Sequence, residues 1–141
     1  MSIILLILGI LILISKKSSL KNSFKSKKQL TDLLIKNLET AKETMNQEKD
    51  IFNIAIGIGM ILISLLYILF YLFSAIFISN FWFAIISILM IFETIRVALK
   101  AYKYIKDMSK TKIESFFYRF FMLTIDFGYI GFVFYMIYTK W

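Results

Sequence analysis

The chain contains no cysteine, no histidine and no proline. Without cysteine it forms no disulfide and offers no thiolate nucleophile. Without cysteine and histidine it lacks the commonest transition-metal ligands. The absence of histidine also removes the side chain that most often shuttles protons near neutral pH. The absence of proline leaves no helix to be kinked by a missing N–H. Charge is missing over a long stretch: the 42 residues from Ile51 to Phe92 carry none.

What remains is strongly apolar. Hydrophobic residues make up 60% of the 141 positions and the mean hydropathy is +0.76, against roughly 45–50% apolar content in ordinary globular domains. A soluble domain of this size cannot bury the 42-residue run, whereas about 20 apolar residues cross a membrane once. The composition therefore reads as an all-α integral membrane protein. The bias toward Ile, Lys, Phe and Asn points to an AT-rich, bacterial genome and a plasma membrane location.

The net charge of +8 is placed, not spread. Nine lysines lie in 16–50, seven Lys/Arg lie in 93–119, and Lys140 is the remaining one. Both basic segments abut apolar spans, as cytoplasmic loops do under the positive-inside rule. No aromatic residues interleave with the lysines in the manner of a single-strand-binding surface, so nucleic acid is not an expected partner. The lysines are expected to face anionic lipid headgroups.

The pattern predicts a single integral membrane domain over 1–141 with four spans near 2–18, 51–78, 81–99 and 116–138. Ser2–Ser15, "SIILLILGILILIS", is followed at once by Lys16 and Lys17. Charge after the apolar core, with no A-x-A-like site, reads as an uncleaved anchor with its N-terminus outside. Its apolar part covers only ~21 Å of a ~30 Å hydrocarbon core, so Lys16 and Lys17 are expected to snorkel or the bilayer to thin. Residues 16–28 read as a Ser/Lys linker. From Gln29 to Asp50, Leu30, Leu34, Leu38, Ala41 and Met45 recur at helical spacing opposite Asp32, Lys36, Glu39 and Glu43, which predicts an amphipathic helix on the cytoplasmic side. Ser79-Asn80 is the expected turn between the second and third spans. Thr111 followed by Glu114 fits a capping box before the last span, and Tyr135, Tyr138 and Trp141 suit an aromatic belt. The resulting topology is N-out and C-out, with 19–50 and 100–115 cytoplasmic.

Charged residues within spans cost at least ~2.5–3.5 kcal/mol each at the centre. Arg119 and Arg96 lie near the inner edge, and Glu93 stands one turn from Arg96, so this interfacial charge cluster is expected to anchor and pair. Asp126 is different. It lies ~15 Å along the last span, near the midplane, with no basic residue expected within easy reach. On the second span Asn53, Gly57, Ser64, Tyr67, Tyr71 and Ser74 share one face. The expectation is that the second and fourth spans touch, with Ser64 or Tyr67 donating to Asp126. Thr124, Gly128 and Gly131 lie opposite Asp126 and form a helix-packing surface, while Ala84, Ser87, Thr94 and Ala98 make a similar line on the third span.

Intramembrane hydrolysis needs a nucleophile with its base, or paired metal ligands. Glu93 and Asp126 alone supply neither, and a paired-aspartate site lacks its second membrane aspartate. The sequence reading is non-enzymatic, with no cofactor or metal. The first functional expectation is a protein that binds other membrane components, as an accessory subunit or an immunity-type protein, through a protein partner or as a homo-oligomer. A holin-like pore is the second. The chain resembles phage holins in being small, multi-pass and lysine-rich, although its end, "TKW", falls on the outer side in this topology. The third is a minimal oligomeric proton-coupled transporter using Asp126.

Overall fold

A computed structural model of the chain describes residues 1–45, 49–106 and 114–140. These form five helices, α1 (Ser2–Ser23), α2 (Lys27–Met45), α3 (Lys49–Ile78), α4 (Phe81–Lys106) and α5 (Phe116–Lys140), and no strand occurs among the described residues. Four of the five are long and apolar enough to cross a membrane: Ser2–Asn22, Ile54–Ile78, Phe81–Lys103 and Phe116–Lys140. Large apolar side chains such as Ile14, Ile61, Trp82 and Phe117 point away from the bundle. In water that surface would be untenable, and in lipid it is the ordinary exterior of a membrane protein.

The first span is longer than the apolar run predicts. α1 continues through Lys16 and Lys17 to Ser23, so the expected 16–28 linker shrinks to Phe24–Ser26. A 21-residue span rises ~31 Å, about the thickness of the hydrocarbon core. The helix can continue because Lys17 faces outward while Lys16 turns into the bundle, where its charge is matched.

Several helix ends have identifiable caps. Ser26 and Gln29 form a reciprocal capping box at the start of α2: Gln29 N–H donates to Ser26 Oγ at 3.3 Å, and Ser26 N–H donates to Gln29 Oε1 at 3.0 Å. Of the predicted apolar stripe on α2, Leu30 is buried and Leu34 half-buried. The side chains of Leu38, Ala41 and Met45 lie outside the described residues, as do Asn53, Thr111 and Trp141. The α3–α4 connection is the expected Ser79-Asn80 pair. Ser79 takes a positive φ of 53° and Asn80 Oδ1 accepts from Phe83 N–H at 3.2 Å, so one residue ends α3 and the next caps α4. The cap on α5 is Ser115, whose Oγ accepts from Tyr118 N–H at 3.3 Å.

Two cations of α5 complete the C-termini of its neighbours. Arg119 donates from Nη1 to Asn22 O (3.1 Å) in the last turn of α1 and from Nη2 to Lys25 O (3.0 Å) just beyond it. Lys140 donates to Phe77 O at 3.1 Å in the last turn of α3. Both positive groups meet the negative end of a helix dipole.

α1 packs against α3 and α5, and α4 packs along α3. The dry core lies in the half of the bundle nearest the Ser79-Asn80 turn, where Leu5, Phe70 and Val133 are fully buried and Ile12, Tyr129 and Ile130 nearly so. Gly9 permits the close approach of α1 there, since a Cβ at that position would stand 2.5 Å from the Phe134 ring. The opposite half, which carries most of the basic residues and is called the basic end below, is more loosely filled.

Asn80→Ala removes the α4 cap and is expected to lower stability by about 1 kcal/mol. Ser79→Gly is expected to raise it, because glycine takes a positive φ without steric cost. Unfolding midpoints in detergent check both directions.

Candidate functional site

Asp126 is 7% exposed, on the inward face of α5. Its carboxylate is not alone: Lys16 Nζ pairs with Oδ2, and Tyr71 Oη donates to Oδ1 at 3.2 Å. The Lys16 ammonium also stands 5.1 Å from the centroid of the Tyr67 ring, within cation–π range. The Ser15 hydroxyl donates to Ile12 O at 2.8 Å, so at the 2.7 Å contact between Ser15 Oγ and Tyr67 Oη the tyrosine is the donor. Ion pair, ring face and hydroxyls thus join α1, α3 and α5 at one level.

Two expectations are corrected here. A basic residue of the chain does reach Asp126, and it is Lys16, which the sequence reading left as an anchor. The donor from α3 is Tyr71, not Ser64 or Tyr67. Ser64 spends its proton on Met60 O at 2.8 Å, and Tyr67 turns to Ser15. The physical reason is register. Tyr71 meets Asp126 and Ser74 meets Tyr129, so α3 residue n lies level with α5 residue n + 55. α3 therefore begins 12 residues, or ~18 Å, before the level of Phe116. Counting the expected spans 51–78 and 116–138 from one membrane edge puts Ser64 level with Asp126, seven residues or ~10 Å short of Tyr71.

The second and fourth spans do touch, and more extensively than through Asp126. Tyr129 Oη lies 2.5 Å from Ser74 Oγ and 2.6 Å from Ser87 Oγ, linking α3, α4 and α5 in the dry half. Its ring stacks on Phe83 at 4.8 Å and meets Tyr71 edge-on at 5.0 Å. The burial of a phenol among aromatics is satisfied by the two serines.

Toward the basic end, α4 and α5 are joined through long side chains. Arg96 grips Glu93 through Nε–Oε2 (2.7 Å) and Nη2–Oε1 (2.6 Å), a bidentate pair within α4. Tyr118 Oη donates to Glu93 Oε1 at 2.6 Å. Arg96 reaches Glu114 at 3.3 Å, and Lys100 also pairs with Glu114. Arg119, grouped with Glu93 and Arg96 on sequence, stands apart at the end of α1, and its Nε is buried without a partner among the described residues. The Lys100 hydrogen bond, with the Arg96 charge beside it, holds the Glu114 carboxyl below its ordinary value of 4.5.

Between these two networks lies a cavity of about 500 Å³. Lys16, Tyr67, Tyr71 and Asp126 form its deep end, and Glu93, Glu114, Tyr118 and Arg119 line it toward the basic end. Its walls are apolar, including Met60, Ile63, Met90 and Met122, with Ser64 and Thr94 among them. Leu30 of α2 contributes at the basic end.

The predicted packing surface of Thr124, Gly128 and Gly131 is exposed, opposite the inward face of Asp126. Nothing lies within 4 Å of a Cβ built on either glycine. Of the line on α4, Ser87 is buried at Tyr129, and Thr94 and Ala98 face the cavity. Sequence reasoning missed Lys16, Ser15, Tyr118 and Tyr129 as site residues. A signal for Lys16 was present, since a span too short to cross and a carboxylate without a cation are both resolved by one inward-facing lysine.

The chain matches no family model, no curated protein and no solved structure. The reading of the cavity rests on its own chemistry.

Removing one partner of a buried ion pair strands the other. Lys16→Met and Asp126→Leu are each expected to cost ~3–5 kcal/mol, and the double variant Lys16→Met/Asp126→Leu to recover most of it. Chemical unfolding in detergent of the two single variants and the double measures the coupling. For Glu114 the folded-state pKa is depressed, so its contribution is whole above 4.5 and is lost as pH falls through the folded value. Melts at falling pH are expected to show a shallower loss for Glu114→Gln than for wild type. The difference is expected to be below ~1 kcal/mol because the pair is partly solvated.

Proposed function

We propose that this is a non-enzymatic, multi-pass protein of a bacterial plasma membrane that works by binding another membrane component, as an accessory subunit or an immunity-type protein. In this reading both termini face outward, α2 lies on the cytoplasmic side, and the basic residues meet anionic headgroups. The observation that carries the reading is the cavity. It occupies one half of the bundle, has apolar walls and an ionic floor, and is backed by a dry half in which Leu5, Phe70 and Val133 are fully buried. A site closed on one side and open to a guest on the other suits capture and retention. The open Gly128/Gly131 face of α5 adds a surface at which a partner helix or a second copy can approach closely.

One feature favours a second reading, a minimal proton-coupled transporter, because Asp126 forms part of the cavity floor. Its carboxylate is already neutralised by Lys16, which weakens the case for a free proton site. The holin-like reading has less support. A path through one protomer would have to cross the fully buried core residues, so a pore would need several copies.

The test expresses wild type and Asp126→Asn from an inducible promoter and follows membrane potential, with a photo-crosslinking residue placed at Met122 in the cavity or at lipid-facing Ile61. The binding reading expects an unchanged potential and a discrete adduct from Met122 but not Ile61. Depolarisation and lysis would instead support the pore, and substrate-dependent proton flux lost in Asp126→Asn would support the transporter.

A further inference from the structure

We propose that Asp126, Tyr67 and Tyr71 form an ammonium-binding site held in this structure by the chain's own Lys16, and that the adjoining cavity admits a lipophilic primary amine that exchanges with it. The inference rests on the reading of the cavity as a receptor site and names the class of guest. Lys16 itself displays the chemistry. A primary ammonium is bound by a carboxylate oxygen and lies 5.1 Å from an aromatic centroid, while Tyr71 orients the other carboxylate oxygen from 3.2 Å. An alkyl stem leads to it, as a lipophilic amine would carry its own.

The alternatives fit less well. A hard metal cation seeks six or more oxygen ligands, whereas this floor offers one carboxylate and two phenols, against the thioether and alkyl walls of Met60, Ile63 and Met122. An anion would need an accessible positive group, but Lys16 is neutralised by Asp126, and Arg119 has both terminal nitrogens on the Asn22 and Lys25 carbonyls and its Nε buried. Glu93 and Glu114 at the basic end are already matched by Arg96 and Lys100, so the carboxylate that a guest ammonium would meet is Asp126 on the floor. Displaced Lys16 has somewhere to go. It lies six residues, or ~9 Å, from Asn22 near the end of α1, and its flexible stem can carry the ammonium toward that end.

The experiment uses the full-length protein in detergent and 2-phenylethylammonium as probe, read by calorimetric titration. Expected are saturable binding to wild type and loss of binding in Asp126→Asn. Binding is expected to be at least ~10-fold tighter in Lys16→Met, because the resident lysine leaves the site open for only part of the time. The neutral isostere 2-phenylethanol is expected not to compete. Binding by neither wild type nor Lys16→Met, binding only after Lys16 is removed, or equal binding by Asp126→Asn overturns the proposal. Should Lys16→Met not fold, Lys16→Ala provides the second measurement. n-Propylammonium, which replaces the deleted part of the stem, is expected to raise its melting temperature where 1-propanol does not, and equal effects overturn the proposal. Repeating the wild-type titration in phosphatidylcholine nanodiscs with and without phosphatidylethanolamine distinguishes sources. Competition by the aminolipid assigns the site to a headgroup amine, and its absence assigns it to a free amphiphilic amine. A Met122 adduct of other chemistry would leave the binding function standing while removing the amine.

Discussion

The Lys16–Asp126 pair is the constraint that ties the first span to the rest of the bundle. Either charge alone within a span is expensive. Paired, they let α1 run on for its full 21-residue span and turn a short apolar segment into a complete crossing. The pair also sets register, because it brings Ser15 to Tyr67 and Tyr71 to the second carboxylate oxygen. Such a pair contributes less to net stability than to choosing one alignment of three helices over its neighbours. A shift of α1 by one turn would leave both charges in an apolar medium.

The two halves of the bundle use polarity differently. Near the Ser79-Asn80 turn, hydroxyls are embedded in an aromatic core, with Tyr129 shared between Ser74 and Ser87. Buried hydroxyls with satisfied partners fix helix positions without introducing charge. Toward the basic end, α4 and α5 stand apart and are held by the reach of Arg96, Lys100, Tyr118 and the two glutamates. Long side chains bridging a gap define space instead of filling it, and the cavity is that space. Its depth is limited by the ion pair on one side and its breadth by the glutamate network on the other.

Membrane class, the four spans, the Ser79-Asn80 turn and the contact between the second and fourth spans were legible because each follows from a local pattern. Hydropathy runs, turn residues and a polar stripe on one helix face are properties of consecutive residues. The partners of Asp126 were not legible, for a physical reason. Depth counted along each helix assumes that all helices start at one plane, whereas α3 begins ~18 Å before α5 at the basic end. Ignoring that stagger put Ser64, seven residues before Tyr71, at the level of Asp126. Lys16 was misread for a related reason: lysines that follow an apolar run are usually anchors, and only the tertiary fold shows one turning inward. Arg119 was expected at the headgroups and instead completes the end of α1, a role that depends on where another helix stops.

The Lys16–Asp126 pair joins residues 110 positions apart, the first span to the last. During synthesis α1 emerges long before its counter-ion exists. Until α5 arrives, the lysine must stay at the headgroups, where its stem reaches water and the apolar run of α1 covers only part of the bilayer. α5 follows α1 in synthesis and carries the counter-ion, so Lys16 can turn inward only once α5 has packed beside α1.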